Sequence, residues 1–262
     1  MSGFNLSGGC ALITGASAGI GLEFARQLTG RAGALVLVAR RGERLEALRD
    51  ELTKLDPNLN VHVRIADLTR LDEVAKLCGW LDQQRIEVDL LINNAGLGDQ
   101  GRFATTDPKR LEEMLAVNVV ALTALTRALL PAMIEKKRGG ILNVSSSAGF
   151  LPVAGLAVYA ATKAYVTSFS EGLRGEVRRH GIAVTALCPG PVETEFGEVA
   201  RRPGKRYKSN PKFMYVSVEH VVRAGLEALE RGKPLIVPGA VMKIAMWLVR
   251  LTPMPILRLV SR

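Results

Sequence analysis

Short runs of apolar residues alternate along this chain with longer stretches whose apolar residues recur every three or four positions. The short runs are typical of strands: Cys10–Thr14, Ala34–Ala39, Val61–Ala66, Asp89–Asn93, Gly140–Ser145, Ile182–Cys188 and Leu235–Val237. The longer stretches predict helices near residues 19–30, 41–55, 70–85, 108–136, 156–180 and 218–231. This alternation predicts an α/β fold, doubly wound and three-layered, with a seven-stranded, mostly parallel sheet in which Val61–Ala66 is edge-like.

The organisation of the chain indicates a single domain covering residues 1–262. No linker, repeat or low-complexity tract divides it, and 48% hydrophobic with 23% charged residues is an ordinary globular composition. Within this domain we expect a substrate lid at about residues 191–216 and a C-terminal amphipathic extension at about residues 239–262.

Cysteine and histidine usage bounds the class of protein. The three cysteines are far apart and form no CxxC pair, which favours a reducing compartment and hence a cytoplasmic protein. The three histidines lack metal-ligand spacing, so we expect no metal site. Residues 1–9 carry no basic region of the kind that begins a signal peptide, and the apolar segment Leu235–Val260 is interrupted by prolines and charges.

The net charge is +10, and six basic residues stand together at Arg201, Arg202, Lys205, Arg206, Lys208 and Lys212. Such a surface attracts nucleic acid, anionic lipid or an acidic substrate, and charge alone does not choose among them. A nucleic-acid partner is not expected, because the sequence lacks a helix-turn-helix, zinc ligands or aromatic-rich strands.

A glycine-rich turn directly follows the first predicted strand and opens a helix. Its residues Gly15, Ser17, Gly19, Ile20 and Gly21 have the spacing G-x-x-x-G-x-G. Glycines let the backbone approach a pyrophosphate, and the helix N-terminus offers free N–H groups. The alternative is a tight turn without a ligand, but doubly wound folds bind dinucleotides at this place.

The second predicted strand ends in Arg40 and Arg41, where NAD-binding proteins usually carry an acidic residue. Guanidinium groups pair with phosphate oxygens, so these arginines favour a 2′-phosphate. The alternative is a solvated helix start, which is weak because positive charge at a helix N-terminus is unfavourable.

Tyr159 and Lys163 are four residues apart in a predicted helix and therefore share one face. A neighbouring ammonium favours the phenolate, so we expect the pKa of Tyr159 to lie below that of free tyrosine. Ser146 precedes the pair by thirteen residues, at the end of a predicted strand, and its hydroxyl is suited to hold a substrate oxygen. Alone, the pair occurs by chance and Ser146 is equally a turn or cap serine.

Together these residues resemble the short-chain dehydrogenase/reductase family, over almost the whole chain from Cys10 to about Val237. The motifs that carry the resemblance are TGASAGIG at 14–21, Asp67-Leu68, NNAG at 93–96, Asn118, NVSS at 143–146, YAATK at 159–163 and PGPVET at 189–194. The resemblance implies a Rossmann fold and an NADP(H)-dependent oxidoreductase acting on a carbonyl or alcohol.

The resemblance also implies residue roles. Tyr159 is the general acid or base, Ser146 holds the substrate oxygen, Lys163 holds the nicotinamide ribose and tunes Tyr159, and Asn118 supports a proton-returning water chain. The residues implied to bind the cofactor are Gly15, Ser17, Gly19, Ile20, Gly21, Arg40, Arg41, Asp67, Leu68, Asn94, Ala95, Gly96, Tyr159, Lys163, Pro189, Gly190, Val192 and Thr194. Singly, Asn118 is equally a helix residue satisfied by backbone, and Asp67 a strand-end cap.

The substrate is less determined. Residues 150–156 are strongly apolar, which favours an apolar ketone or aldehyde. The basic stretch at residues 201–212 leaves open an anionic acyl thioester as the substrate. The simpler interpretation is that this stretch is a solvated loop. A non-catalytic NADP-binding sensor is the alternative to an enzyme, although the complete catalytic set disfavours it.

The segment Ala240–Arg250 predicts an amphipathic helix. Packing within a homodimer or homotetramer is the simplest use of its apolar surface. Packing on the domain itself or contact with a membrane surface are the alternatives.

Overall fold

The computed structural model describes residues 3–201, 211–253 and 255–256. Its seven strands are β1 (Cys10–Thr14), β2 (Ala34–Ala39), β3 (Asn60–Ile65), β4 (Leu90–Asn93), β5 (Gly139–Val144), β6 (Ile182–Leu187) and β7 (Leu235–Ile236). They form one sheet in the order β3-β2-β1-β4-β5-β6-β7, and every neighbouring pair is parallel. The predicted fold is confirmed, and the sheet is parallel throughout.

Nine helices accompany the strands in the described part of the chain. They are α1 (Gly19–Leu28), α2 (Gly42–Leu55), α3 (Leu71–Gln83), α4 (Pro108–Leu115), α5 (Leu122–Lys136), α6 (Ala157–Val177), α7 (Glu195–Ala200), α8 (Val218–Glu230) and α9 (Ala240–Leu251). Helices α1, α2 and α8 pack on one face of the sheet, and α3, α4, α5 and α6 pack on the other. Strand β1 shows how both faces are buried. Ile13 packs in the core with α1, α2 and α8, and Leu12 packs in the core with α3 to α6, because successive side chains of a strand point to opposite faces of the sheet.

The predicted helix at residues 108–136 is continuous but not uniform. Asp107 caps its start by accepting from the Lys109 N–H at 3.0 Å, and a π-helical turn at Ala116–Ala121 separates α4 from α5. π-Turns are rare in proteins, and those that occur are often found at functional sites. This one contains Asn118.

Pro108–Lys136 is also long and apolar enough to cross a membrane by length and composition, a property that the sequence expectations did not assign to it. Such a helix is equally typical of a protein core. Its buried Leu125 and Met133 join the core beneath the sheet, which places it in the domain.

The predicted lid and C-terminal extension are partly described. The lid contains α7 and a short 3₁₀ turn at Lys212–Met214, while residues 202–210, with Arg202, Lys205, Arg206 and Lys208, lie outside the described residues. Residues 254 and 257–262 of the extension also lie outside them. Helix α9 packs Met242 and Met246 onto a small core.

Candidate active site

The predicted site residues gather at the carboxyl ends of the central strands. The strand order reverses between β1 and β4, and ligands of doubly wound sheets bind in the crevice at such a point. The glycine turn follows β1, the segment Asn94–Gly96 follows β4, Ser146 follows β5, and the segment from Pro189 to Thr194 follows β6. One cleft therefore contains all four segments.

The glycine turn fits a dinucleotide phosphate. Gly15 has a φ of +68°, and a Cβ there would lie 2.8 Å from Nδ2 of Asn94. A Cβ at Gly21 would lie 2.3 Å from the Gly15 carbonyl oxygen, so glycine is needed for the turn to close. The N-cap residue of α1, Ala18, makes no side-chain capping bond, so the first N–H groups of this helix can bind an anion.

A small hydrogen-bond network fixes this turn against β4. The Thr14 hydroxyl accepts from the backbone N–H groups of Asn94 and Ala95, both at 3.0 Å. The Asn94 amide donates to the Thr14 carbonyl at 2.8 Å. The two segments expected to line the cofactor cleft thus form one rigid unit.

The two arginines after β2 occupy different environments. Both arginines are exposed, but Arg41 also bonds the Ser17 hydroxyl of the glycine turn at 3.1 and 3.2 Å and a Glu195 oxygen at 2.8 Å. Arg44 bonds the same carboxylate at 2.7 Å, and these two guanidinium groups hold the pKa of Glu195 below its usual range. A carboxylate held by two arginines beside the glycine turn marks a place suited to phosphate oxygens.

Arg44 and Glu195 were not among the sequence-predicted site residues. Arg44 was available to prediction, because it lies one helical turn after Arg41 and so shares its face. Glu195 was not, since its position depends on the path of the chain after β6. Thr194 sets that path by capping α7, with its hydroxyl accepting from the Phe196 N–H at 3.3 Å.

The remaining predicted cofactor residues are placed as follows. Asp67 accepts from the N–H and hydroxyl of Thr69 at 3.1 and 2.9 Å, so its carboxylate caps the turn after β3. Leu68 is buried in the core. Val192 packs against the core, and a Cβ at Gly190 would lie 2.7 Å from Met242. The segment after β6 is therefore clamped between the core and α9.

Lys163 and Asn118 meet at the floor of the cleft. Lys163 is 4% exposed, and its ammonium donates to the Val144 carbonyl at 2.8 Å. A Cβ at Gly96 would lie 3.4 Å from both the Lys163 nitrogen and the Asn118 side-chain oxygen. Glycine at this position therefore lets the two side chains approach the same point.

The Asn118 side chain bonds the protein at both ends. Its oxygen accepts from the Leu97 N–H at 2.8 Å, and its nitrogen donates to the Leu97 carbonyl at 2.9 Å and the Thr162 hydroxyl at 3.0 Å. This agrees with the plainer alternative for Asn118. The residue connects the π-turn to the loop after β4 and to α6, where its partner Thr162 is the neighbour of Lys163.

Tyr159 stands at the mouth of the cleft. Its ring centroid lies 5.8 Å from the Lys163 nitrogen and 5.6 Å from the Phe196 ring centroid. The Ser146 hydroxyl accepts from the Ala148 N–H at 3.1 Å, so its own proton remains available to donate. The structure therefore brings together Ser146 of the NVSS motif and Tyr159 and Lys163 of the YAATK motif.

The expected direction of the tyrosine pKa was wrong for the protein alone. Although part of the ring is accessible, burial of its surroundings raises the pKa of Tyr159 to about 12, against a smaller lowering by the hydrogen bond with Ser146. Burial also lowers the pKa of Lys163 to about 8. In both groups burial disfavours the charged form, which is the phenolate of Tyr159 and the ammonium of Lys163.

No group of three or more His, Cys, Asp or Glu suited to a metal ion occurs among residues 3–201, 211–253 and 255–256.

Known proteins resemble this chain in sequence and in fold. Residues 9–203 match the family described as short chain dehydrogenase. The NADP-dependent 3-hydroxy acid dehydrogenase of Salmonella typhi is 37% identical over 207 residues, covering 76% of this chain and 81% of that protein. A short-chain dehydrogenase from Sphingobium yanoikuyae in complex with NADPH superposes with a TM-score of 0.80 at 33% identity, covering 93% of this chain and 94% of that one.

A bulky-bulky ketone specific alcohol dehydrogenase from Comamonas testosteroni superposes with a TM-score of 0.76 at 30% identity, over 93% of this chain and 92% of that one. The family match and these relatives agree with one another. The chain belongs to the short-chain dehydrogenase family, as an oxidoreductase that uses NADP(H) and acts on CH–OH groups.

Proposed function

We propose that the protein reduces an apolar ketone or aldehyde with NADPH, or oxidises the corresponding alcohol. The observation that carries this proposal is Tyr159, held as a neutral acid beside the buried Lys163 and the Phe196 ring. An apolar ring borders the site, since Phe196 adjoins Tyr159, and the apolar residues Phe150 and Leu151, which follow Ser146 in sequence, pack against the small core beside α9. The ketone specificity named for the Comamonas relative supports the same substrate class.

The chain's own residues supply proton and position. When bound, NADPH supplies the hydride that adds to the carbonyl carbon. The Ser146 hydroxyl donates to the oxygen as it becomes negative, and Tyr159 transfers its phenolic proton to that oxygen, so that C=O becomes CH–OH. With a pKa of about 12, Tyr159 is protonated at neutral pH and therefore holds the proton that reduction requires.

Lys163 and Asn118 support this step. The buried Lys163 ammonium lies 5.8 Å from the Tyr159 ring centroid and would hold the nicotinamide ribose. Asn118 fixes the loop and helix on either side of Lys163 through its bonds to Leu97 and Thr162. Each role is that of a group held in place before the substrate arrives.

The test is NADPH oxidation by the purified protein with a panel of apolar ketones, aldehydes and acyl thioesters. We expect turnover of apolar carbonyls, with the product alcohol identified by mass spectrometry. If only thioesters are turned over, the proposed substrate becomes an anionic acyl thioester that the basic stretch at residues 201–212 binds. Tight NADPH binding without turnover of any carbonyl would support the sensor alternative.

Cofactor preference gives a separate prediction. NADPH is expected to bind about ten- to a hundredfold more tightly than NADH, because a charged hydrogen bond contributes about 1.5–3 kcal/mol. Arg41→Ala should remove most of this preference by weakening NADPH alone, and Arg40→Asp should shift it towards NADH. Fluorescence titration of both reduced cofactors measures it, with Arg49→Ala on the same helix as the control. Equal affinities in the parent protein would contradict the prediction.

We also propose that the protein forms a homodimer or homotetramer in the cytoplasm. Val120 and Tyr165 are 40% and 39% exposed, and the Tyr165 hydroxyl bonds Thr123, one turn after Val120. They form an apolar surface suited to a second copy. Light scattering at micromolar concentration should show an oligomer that Val120→Glu disrupts and Leu55→Glu, an exposed residue of α2, does not. A monomeric parent protein would contradict this.

A further inference from the structure

Helix α9 has an unpartnered apolar surface on its outer side. Its inner side chains, Met242 and Met246, are 3% and 7% exposed. The outer residues, here called the apolar arc, are 48–63% exposed and comprise Val241, Ile244, Trp247, Leu248 and Leu251. At 100° per residue these five span about 120° of the helix surface without a charged member. One side of α9 thus belongs to the domain and the other faces outward.

A basic groove runs along one border of the apolar arc. It has a volume of about 280 Å³. Cationic and apolar side chains line it together: Lys233, Lys243, Arg250, Phe150, Met246 and Trp247. Arg250 stacks on Phe150 at 4.9 Å and bonds Glu171 at 3.3 Å, whereas Lys233 and Lys243 form no ion pair with another described residue. Two cations without an ion pair among the described residues therefore lie beside the arc.

The charge of the C-terminal segment distinguishes two partners that could cover the apolar arc, which are a second copy of the chain and a lipid surface. The sequence from Arg231 to Arg262 contains six basic residues and no acidic one. A two-fold contact with a second copy would place the same patch opposite itself, and so cation against cation. An anionic lipid surface supplies the opposite charge and also an apolar layer beneath it.

We propose that α9 docks the protein on an anionic membrane surface. The apolar arc enters the boundary between headgroups and acyl chains, with the helix axis in the membrane plane, and Lys233 and Lys243 in the groove hold lipid headgroups. A Cβ at Gly190 would touch Met242 on the inner side of the same helix, so the docking helix adjoins the segment that closes the cofactor cleft. The membrane is thereby brought close to the active-site cleft.

The experiment measures binding of the full chain to vesicles of phosphatidylcholine, with and without phosphatidylglycerol. Because the protein has two tryptophans, Trp80→Phe leaves Trp247 as a single reporter within the arc. We expect co-sedimentation with the anionic vesicles, a blue shift of Trp247 emission, and its quenching by brominated acyl chains. No binding to anionic vesicles, or binding without a change at Trp247, would overturn the proposal.

Variants separate the arc from the groove. Ile244→Glu with Leu248→Glu should abolish binding, while Leu55→Glu, an equally exposed leucine on α2, should not change it. Lys233→Gln and Lys243→Gln should each weaken binding about fivefold and reduce its salt dependence. Binding that survives the paired glutamate substitutions would refute a role for α9. If the paired glutamate substitutions change the oligomeric state and the parent protein does not bind vesicles, a second copy of the chain covers the arc and the proposal is wrong. Reduction of a water-soluble ketone without vesicles tests the proposed function independently.

Discussion

Tyr159→Phe is expected to lower turnover by about 10²–10⁴-fold while NADPH still binds. The substitution removes the transferable proton and keeps the ring that packs against Phe196. Because the effect falls on proton transfer, kcat should fall much more than KM rises. Steady-state reduction of an established ketone, with cofactor titration alongside, measures both quantities.

A matched control exists on the same helix. Tyr165→Phe removes a hydroxyl that bonds Thr123 at the surface, six residues from Tyr159. That variant should retain the parent's kcat. If Tyr159→Phe reduces the ketone as fast as the parent, the assignment of the general acid is wrong.

Lys163→Met is expected to lower turnover at least as much and to weaken NADPH binding too. It removes the ammonium near Tyr159 and the group proposed to hold the ribose. A second effect follows from the pKa of about 8 in the folded protein, which is depressed from the ordinary 10.5. A depressed pKa contributes stability above the unfolded pKa that is lost as the pH falls through the folded one.

The parent's free energy of unfolding should therefore rise, relative to that of Lys163→Met, by about 3 kcal/mol between pH 8 and pH 10.5. Urea unfolding of both proteins across this interval measures the difference. Lys54→Met, at an exposed position of α2, serves as the control and should follow the parent. Parallel stability curves for the parent and Lys163→Met would show that the lysine is not held in a desolvated pocket.

The sheet was predictable because its strands are buried on both faces. Runs such as ALVLVA at β2 are apolar throughout, as a parallel strand between two helix layers requires. Helix α7, by contrast, was not predicted from the sequence. Helix α7 has six residues and depends on the cap of Thr194 and its contacts with the glycine turn rather than on its own periodicity.

The candidate site was predictable as a set of residues but not as an electrostatic environment. Sequence spacing placed Tyr159 and Lys163 on one helix face, and the structure shows them there. It did not reveal how deeply the surroundings bury them, which reverses the expected direction of the Tyr159 pKa. Nor did it reveal Glu195 between Arg41 and Arg44, because that contact joins residues about 150 positions apart.

The most direct test of the account follows hydride from NADPH to product. The purified protein is incubated with an apolar ketone and NADPH carrying deuterium at the transferable C4 position, and the product is analysed by mass spectrometry. We predict an alcohol labelled at the carbinol carbon, formed in equal amount to the NADPH consumed, with formation greatly reduced in Tyr159→Phe. Consumption of NADPH without labelled alcohol, or binding of NADPH with no product from any ketone or aldehyde, would contradict the account.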